Sequence, residues 1–325
     1  MQQLLRAALE PGARCDVALA EQAVAEKIAP LLGGRCLDGA LDAEPAARER
    51  LVAAHQACLA QQRVCERALA EVARALAARG VPVLLLKGAA LARLIYGPGR
   101  RSMLDVDVLV PAAGWSAALA AMVGLGAQAG AHPGRALTMR LYHELDFRLS
   151  SGAQVDVHRA LTAWPLFSID HAGLFERAEV QHDGVLVPTV EDLLVSLAVH
   201  AAGDGFSVPL RAVVDGLALA ERARAQLVAE RAREWRARRA TAAWLFALCA
   251  HGLDASWRAV AGALDGGSAA RALARLVPGR LPRRGARWHL RWRTARAADG
   301  ALRPLAFYSY RSLLYVGDWV MRRWG

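Results

Sequence analysis

Between Met103 and Val110 the only ionisable side chains are Asp105 and Asp107, two residues apart in an otherwise apolar run. Side chains alternate faces along a strand, so this pattern predicts a strand with both carboxylates on one face and Leu104, Val106, Val108 and Val110 turned into a core. Leu141 to Leu149 alternates apolar and polar residues in the same way. Ser150-Ser151-Gly152 has the composition of a hairpin turn, and Ala153 to Val157 returns as a strand with Asp156 between Val155 and Val157. Upstream, Arg48 to Arg79 reads as one long helix stopped by Gly80-Val81-Pro82, and a short strand, Val83 to Leu86, leads into a glycine turn and a helix from Lys87. Thr189 and Asp192 suit the start of a helix ending near Gly203, and another runs from about Pro209 to Arg224.

These elements divide the chain into three zones. Residues 1–78 read as all-helical, residues 79–187 as a mixed core of strands and helices, and residues 188–325 as helical again with a basic aromatic tail. From Val108 to Ala131 there is no charged residue, but Pro111, Gly114, Gly124, Gly126 and Gly130 interrupt the run. It reads as strand end, turn and a helix, Trp115 to Leu125, covering the sheet, and no transmembrane segment is expected.

The acidic strand carries the chemistry. Two carboxylates side by side on a buried strand repel each other and are costly to desolvate. A bound cation relieves both penalties, and hard oxygen ligands suit a magnesium ion carrying substrate phosphates.

Ahead of that strand stand Lys87, Gly88, Leu91, Tyr96, Gly97, Arg100 and Arg101, in that order, and then Asp105-Val106-Asp107-Val108-Leu109-Val110. This ordered set resembles the nucleotidyltransferase superfamily of DNA polymerase β. It is most similar to a family of uncharacterised bacterial nucleotidyltransferases, over residues 75–220. The resemblance implies an α+β fold, a nucleotidyltransferase mixed sheet flanked by helical N-terminal and C-terminal regions. It also implies a nucleoside triphosphate, ATP by default, bound as a magnesium complex in a cleft formed by Gly88 and the aspartate strand. Asp105 and Asp107 would bridge two ions, magnesium or manganese in its place, and Asp156 would be the third carboxylate, either a ligand of the catalytic metal or the base that takes the acceptor's proton, with Glu144 and Asp146 on the partner strand as rivals. In-line attack by an acceptor of a biosynthetic pathway (a small molecule, peptide or saccharide) would release pyrophosphate. His158 would orient a phosphate or the acceptor, or else cap the next segment. His200 and Asp215 match a similar His and Asp of the family and are expected to pair, locking two helices. One departure stands out: the superfamily has a small polar residue after the glycine, where this chain has Ala89. Lys87, Arg100, Arg101 or the Ser102 hydroxyl would take over part of that phosphate contact.

Composition adds limits. A chain of 325 residues holds one large or two to three small domains. Five cysteines without metal-ligand spacing, and no secretory pattern at the start, fit a reducing cytoplasm, and nine scattered histidines suggest no zinc site. The net charge of +11 comes largely from late arginines, among them Arg280, Arg283, Arg284, Arg287, Arg291, Arg293 and Arg296, interleaved with Trp288 and Trp292. Residues 280–325 could grip RNA, rest on an anionic membrane surface, or pack on their own domain. Two further readings remain, a toxin-like relative acting on transfer RNA and a non-catalytic nucleotide-binding module.

Overall fold

The computed structural model describes residues 1–130, 143–162, 166–265, 267–277, 293–294 and 296–299. Its organising element is a 33-residue helix, Pro45–Ala77, which opens with proline in its first turn, where a missing N–H costs nothing. Ala47, Leu51, His55, Cys58, Gln62, Cys65, Leu69, Val72 and Leu76 are buried at spacings of three or four, one continuous stripe. Helix Ala29–Leu37 crosses it so closely that a Cβ on Gly33 would stand 2.1 Å from the Leu51 carbonyl oxygen. Two members of the stripe are polar. His55 Nδ1 lies 3.3 Å from the Pro30 carbonyl oxygen, and Gln62 accepts a hydrogen bond from the Gly99 amide at 2.8 Å.

The N-terminal zone is not wholly helical. Ala13–Cys15 (β1) and Leu41–Ala43 (β2) form a parallel pair of three-residue strands. Neither is long enough to display a period, so no sequence pattern announced them.

The central sheet has seven strands: β3 (Leu84–Leu85), β4 (Asp105–Leu109), β5 (Gln128–Ala129), β6 (Glu144–Arg148), β7 (Gln154–His158), β8 (Glu179–Val180) and β9 (Leu186–Val187). Their order across the sheet is β5-β6-β7-β4-β3-β9-β8, with β4 parallel to β7 and antiparallel to β3. Val106, Val108, Leu145, Phe147, Val155 and Val157 are all buried on one face, against which the long helix packs at β4 and β7. The other face carries the acids. With helices on both sides in the chain, the architecture is α+β.

Three details depart from the sequence pattern. Pairing of β4 begins at Asp105 opposite Gln154, so Leu104 precedes the ladder and is 76% exposed instead of entering the core. Strand β3 is two residues long, because Leu86 already serves as the N-cap of helix Lys87–Leu94. The helix from Pro209 ends at Ala220. Helix Val190–Gly203 is capped as expected by Thr189, whose hydroxyl accepts from the Asp192 amide. No helix among the described residues is long and apolar enough to cross a membrane. Most of residues 280–325 lie outside the described residues, and with them the expected RNA or lipid contacts. Arg293, which is described, is buried and donates to the Gly205 carbonyl oxygen.

Candidate active site

Register builds the site. Asp107 stands directly opposite Asp156 across the parallel β4–β7 ladder, and Asp146 opposite Asp156 across β6–β7. Alternation places Asp105 and Asp107 on the same face as Gln154, Asp156 and His158, and as Glu144 and Asp146. One face of three adjacent strands thus gathers five carboxylates over a floor of valine, leucine and phenylalanine.

Asp107 is the best-held member. Only 5% exposed, its Oδ1 accepts from Lys87 Nζ at 2.8 Å and from His158 Nε2 at 2.9 Å. Burial alone would raise its pKa. The His158 hydrogen bond and the Lys87 charge reverse that and hold the carboxyl well below the usual range. No described residue pairs with its Oδ2. His158 is itself buried, and its Nδ1 stands 3.1 Å from Glu144 Oε2 without hydrogen-bond alignment. Lys87 adopts φ +41, a left-handed conformation that costs a lysine free energy. The strain buys reach: from that turn the ammonium spans the gap between β3 and Asp107.

The other two acids are less compensated. Burial and then Asp107 raise the Asp105 pKa, with Lys87 opposing. Burial, opposed by a hydrogen bond from Gln154 and reinforced by Asp107 and Asp105, pushes the Asp156 carboxyl up to about 6. Of the two rivals, Asp146 lies against Gly130, where a Cβ would come within 1.9 Å of its Oδ2, and Glu144 lies against His158.

Several expected phosphate contacts are engaged elsewhere. Arg101 is buried with its guanidinium clamped on Asp215 through Nε and Nη2, while Nη1 donates to the Ser102 carbonyl oxygen. Arg100 reaches Asp38 in the N-terminal zone. Ser102 accepts from Arg211 Nη1 at both its carbonyl and hydroxyl oxygens, each at 3.0 Å. Gly88 sits where a Cβ would press on Met103 at 3.3 Å, so glycine keeps the turn close to the aspartate strand. The expected pairing of His200 with Asp215 is not formed. Asp215 takes Arg101 and the Tyr96 hydroxyl, and His200 faces Asp204 one helical turn along. His200 is half exposed.

A model of the family described as uncharacterised nucleotidyltransferase matches residues 16–254. The chain belongs to that family. The match spans the acidic face, the Lys87 turn and the helix that bears Asp215, so the nucleotidyltransferase assignment covers every element of the site. No match is found among curated proteins. A solved structure of the antibiotic-resistance factor ANT(2'')-Ia aligns over 50% of this nucleotidyltransferase and 86% of that chain, at 16% identity and a TM-score of 0.36. A likeness that loose carries no residue correspondence.

Among the described residues no three His, Cys, Asp or Glu side chains are gathered at coordinating distance. The donor set nevertheless fits a hard divalent cation: oxygen ligands only, an Asp107 Oδ2 that pairs with no described residue, and two neighbouring carboxylates whose pKa values are raised by burial first and by the nearby acids after it. Lys87 supplies the positive charge that Asp107 has at hand.

Proposed function

We propose that this nucleotidyltransferase transfers a nucleoside monophosphate from a nucleoside triphosphate, ATP by default, to a small-molecule, peptide or saccharide acceptor. The single observation that carries this reading is the Asp105, Asp107 and Asp156 cluster on one sheet face beside the start of helix Lys87–Leu94.

Each residue then has a task. The first amides of the helix from Lys87 have no intrahelical partner and no side-chain cap, so they suit phosphate oxygens. Lys87 and His158 pin Asp107 in its ionised form. Magnesium, or manganese in its place, held by Asp105, Asp107 and Asp156 in one or two positions, would supply positive charge to the phosphates and acidify the acceptor hydroxyl. With the phosphates fixed, the acceptor oxygen attacks the α-phosphorus in line, the bond from that phosphorus to the bridging oxygen breaks, and pyrophosphate leaves. Asp156, with a pKa of about 6 and a place beside Asp107 on the adjacent strand, takes the acceptor's proton.

The test is titration of the protein with each labelled triphosphate and magnesium, beside an Asp105→Ala, Asp107→Ala double variant. Magnesium-dependent binding that the variant loses is the expected result, and the preferred triphosphate names the nucleotide. Absence of binding to every triphosphate would overturn the reading.

A further inference from the structure

The superfamily's hydroxyl after the glycine is replaced by Ala89, and two of the arginines best placed in sequence to compensate are spent on Asp38 and Asp215. A third arginine, from the helical region that follows the sheet, is not. Arg211 lies in the first turn of helix Leu210–Ala220 and reaches back to Ser102, three residues before Asp105. No described carboxylate contacts its guanidinium, and its Nε is buried without a partner. The nearest acid, Asp215, is already shared by Arg101 and Tyr96.

Resting on the nucleotide-transfer reading above, we propose that Arg211 is the guanidinium that grips the polyphosphate of the triphosphate substrate. Its neighbours indicate which end of the substrate it meets. Asp105 acts on its charge, and so does Arg101, whose Nη1 lies 3.6 Å from where a Gly88 Cβ would be. That is the phosphate side of the acidic face, at the start of helix Lys87–Leu94. The acceptor side, at Asp156, is on the next strand beyond Asp107. Burial, and then repulsion from Arg101, bring the Arg211 pKa down to about 10, with Asp215 and Asp105 only partly offsetting them. A half-buried cation in that condition gains from an added anion. A planar fork with an unused Nε can take a phosphate through two parallel hydrogen bonds.

The experiment is calorimetric titration of the full chain, parent and Arg211→Gln, with ATP plus magnesium, with inorganic tripolyphosphate plus magnesium, and with AMP. The variant is expected to bind ATP and tripolyphosphate about 10- to 100-fold more weakly, the worth of a charge-assisted pair of hydrogen bonds, while AMP binding stays within about twofold. Equal affinity for tripolyphosphate in both proteins would overturn the proposal, and so would an equal loss for AMP and ATP, which marks a merely structural role. A parent that binds no triphosphate would sink the nucleotide-transfer reading itself. Should Arg211→Gln fail to fold by circular dichroism, Arg211→Lys keeps the charge without the fork. It is expected to lose about 3- to 10-fold for tripolyphosphate and nothing for AMP, and parental affinity for tripolyphosphate would again overturn the proposal.

Discussion

Replacing Asp215 by leucine should be among the most destabilising single changes in the molecule. Asp215 is 1% exposed and Arg101 8%, both as side chains, so their pair is a buried one. The guanidinium contacts both carboxylate oxygens, at 2.9 Å and 3.1 Å from Nε and 2.8 Å from Nη2, and the Tyr96 hydroxyl donates to Oδ1 at 2.9 Å. Removing one partner of such a pair strands a charge away from water, which costs about 3–5 kcal/mol. The orphaned Tyr96 hydroxyl adds about 1 kcal/mol. At roughly 2–4 °C per kcal/mol for a chain of this size, the melting temperature should fall by about 10 °C or more. The Arg100–Asp38 pair provides the contrast, because its side chains are 29% and 45% exposed. Asp38→Ala should cost no more than about 1 kcal/mol.

The assay is thermal and urea unfolding followed by circular dichroism, on Asp215→Leu, Arg101→Leu and the double variant. The double variant should recover much of the loss, since an apolar pair of similar volume often replaces a buried ion pair at little cost. Melting of Asp215→Leu within about 2 °C of the parent would refute the reasoning. So would an Arg101→Leu protein that keeps its stability but loses triphosphate affinity. That result would return Arg101 to the phosphates, where its place in the motif suggests it should be.

Four further outcomes are expected. Asp107→Asn should lower turnover by about 10³-fold or more, read as pyrophosphate release, because it removes the charge between Lys87 and His158 together with a proposed cation ligand; turnover within tenfold of the parent would count against the site. Asp156 titrates near 6 when folded, against an ordinary value of 3.8, so the folded chain holds a proton there that the unfolded chain has released. Its contribution to stability is therefore complete below about pH 4 and lost as pH rises through about 6, and Asp156→Asn should flatten that limb of the stability profile. Divalent-cation affinity should run the other way, weakening by about tenfold per pH unit below 6 as the proton competes, and a pH-independent affinity would exclude Asp156 as a ligand. Gly99→Ala should cost about 1–3 kcal/mol in urea unfolding, since φ is +73 and the new Cβ would stand 2.8 Å from the His55 ring; an unchanged midpoint would show that this loop yields easily.

The acidic strand was legible because its signal is local. Two aspartates in an apolar run of period two can be read without knowing what lies beside them, and the same holds for the stripe of the long helix and the Thr189 cap. What could not be read was who faces whom. The ladder that sets Asp107 beside Asp156 joins residues 49 apart in number. Arg101 and Asp215 are separated by 114 positions, and Arg100 and Asp38 by 62. A charged residue in a glycine-rich loop reads as solvated until its partner is seen. One signal did exist. Asp215 interrupts the apolar run Val213-Val214-Asp215-Gly216-Leu217 on a buried helix face, and an acid there requires a buried cation from elsewhere. Asp192, fully buried and held by Arg177 and Arg231, obeys the same rule. Arg211 left no such trace, since its neighbours in sequence give no hint of Ser102.

The loop between Gly97 and Met103 changes meaning in this light. Its residues form the family-like motif and precede the aspartates, which invites a catalytic reading of each. In the folded chain they look outward in two directions instead. The Gly99 amide is fixed by Gln62 of the long helix and Arg100 by Asp38, both from the N-terminal zone. Arg101 is fixed by Asp215, and Ser102 by Arg211, both from helix Leu210–Ala220. The next residues are Met103, Leu104 and Asp105. The loop therefore ties both helical regions to the point where the first acid enters the sheet. Catalysis by positioned carboxylates tolerates little displacement, and an error of about 1 Å can cost about 10²-fold in rate. A motif whose middle serves as an anchor, with the proposed chemistry at its two ends, Lys87 and Asp105, accounts for charged residues held by partners from both helical regions.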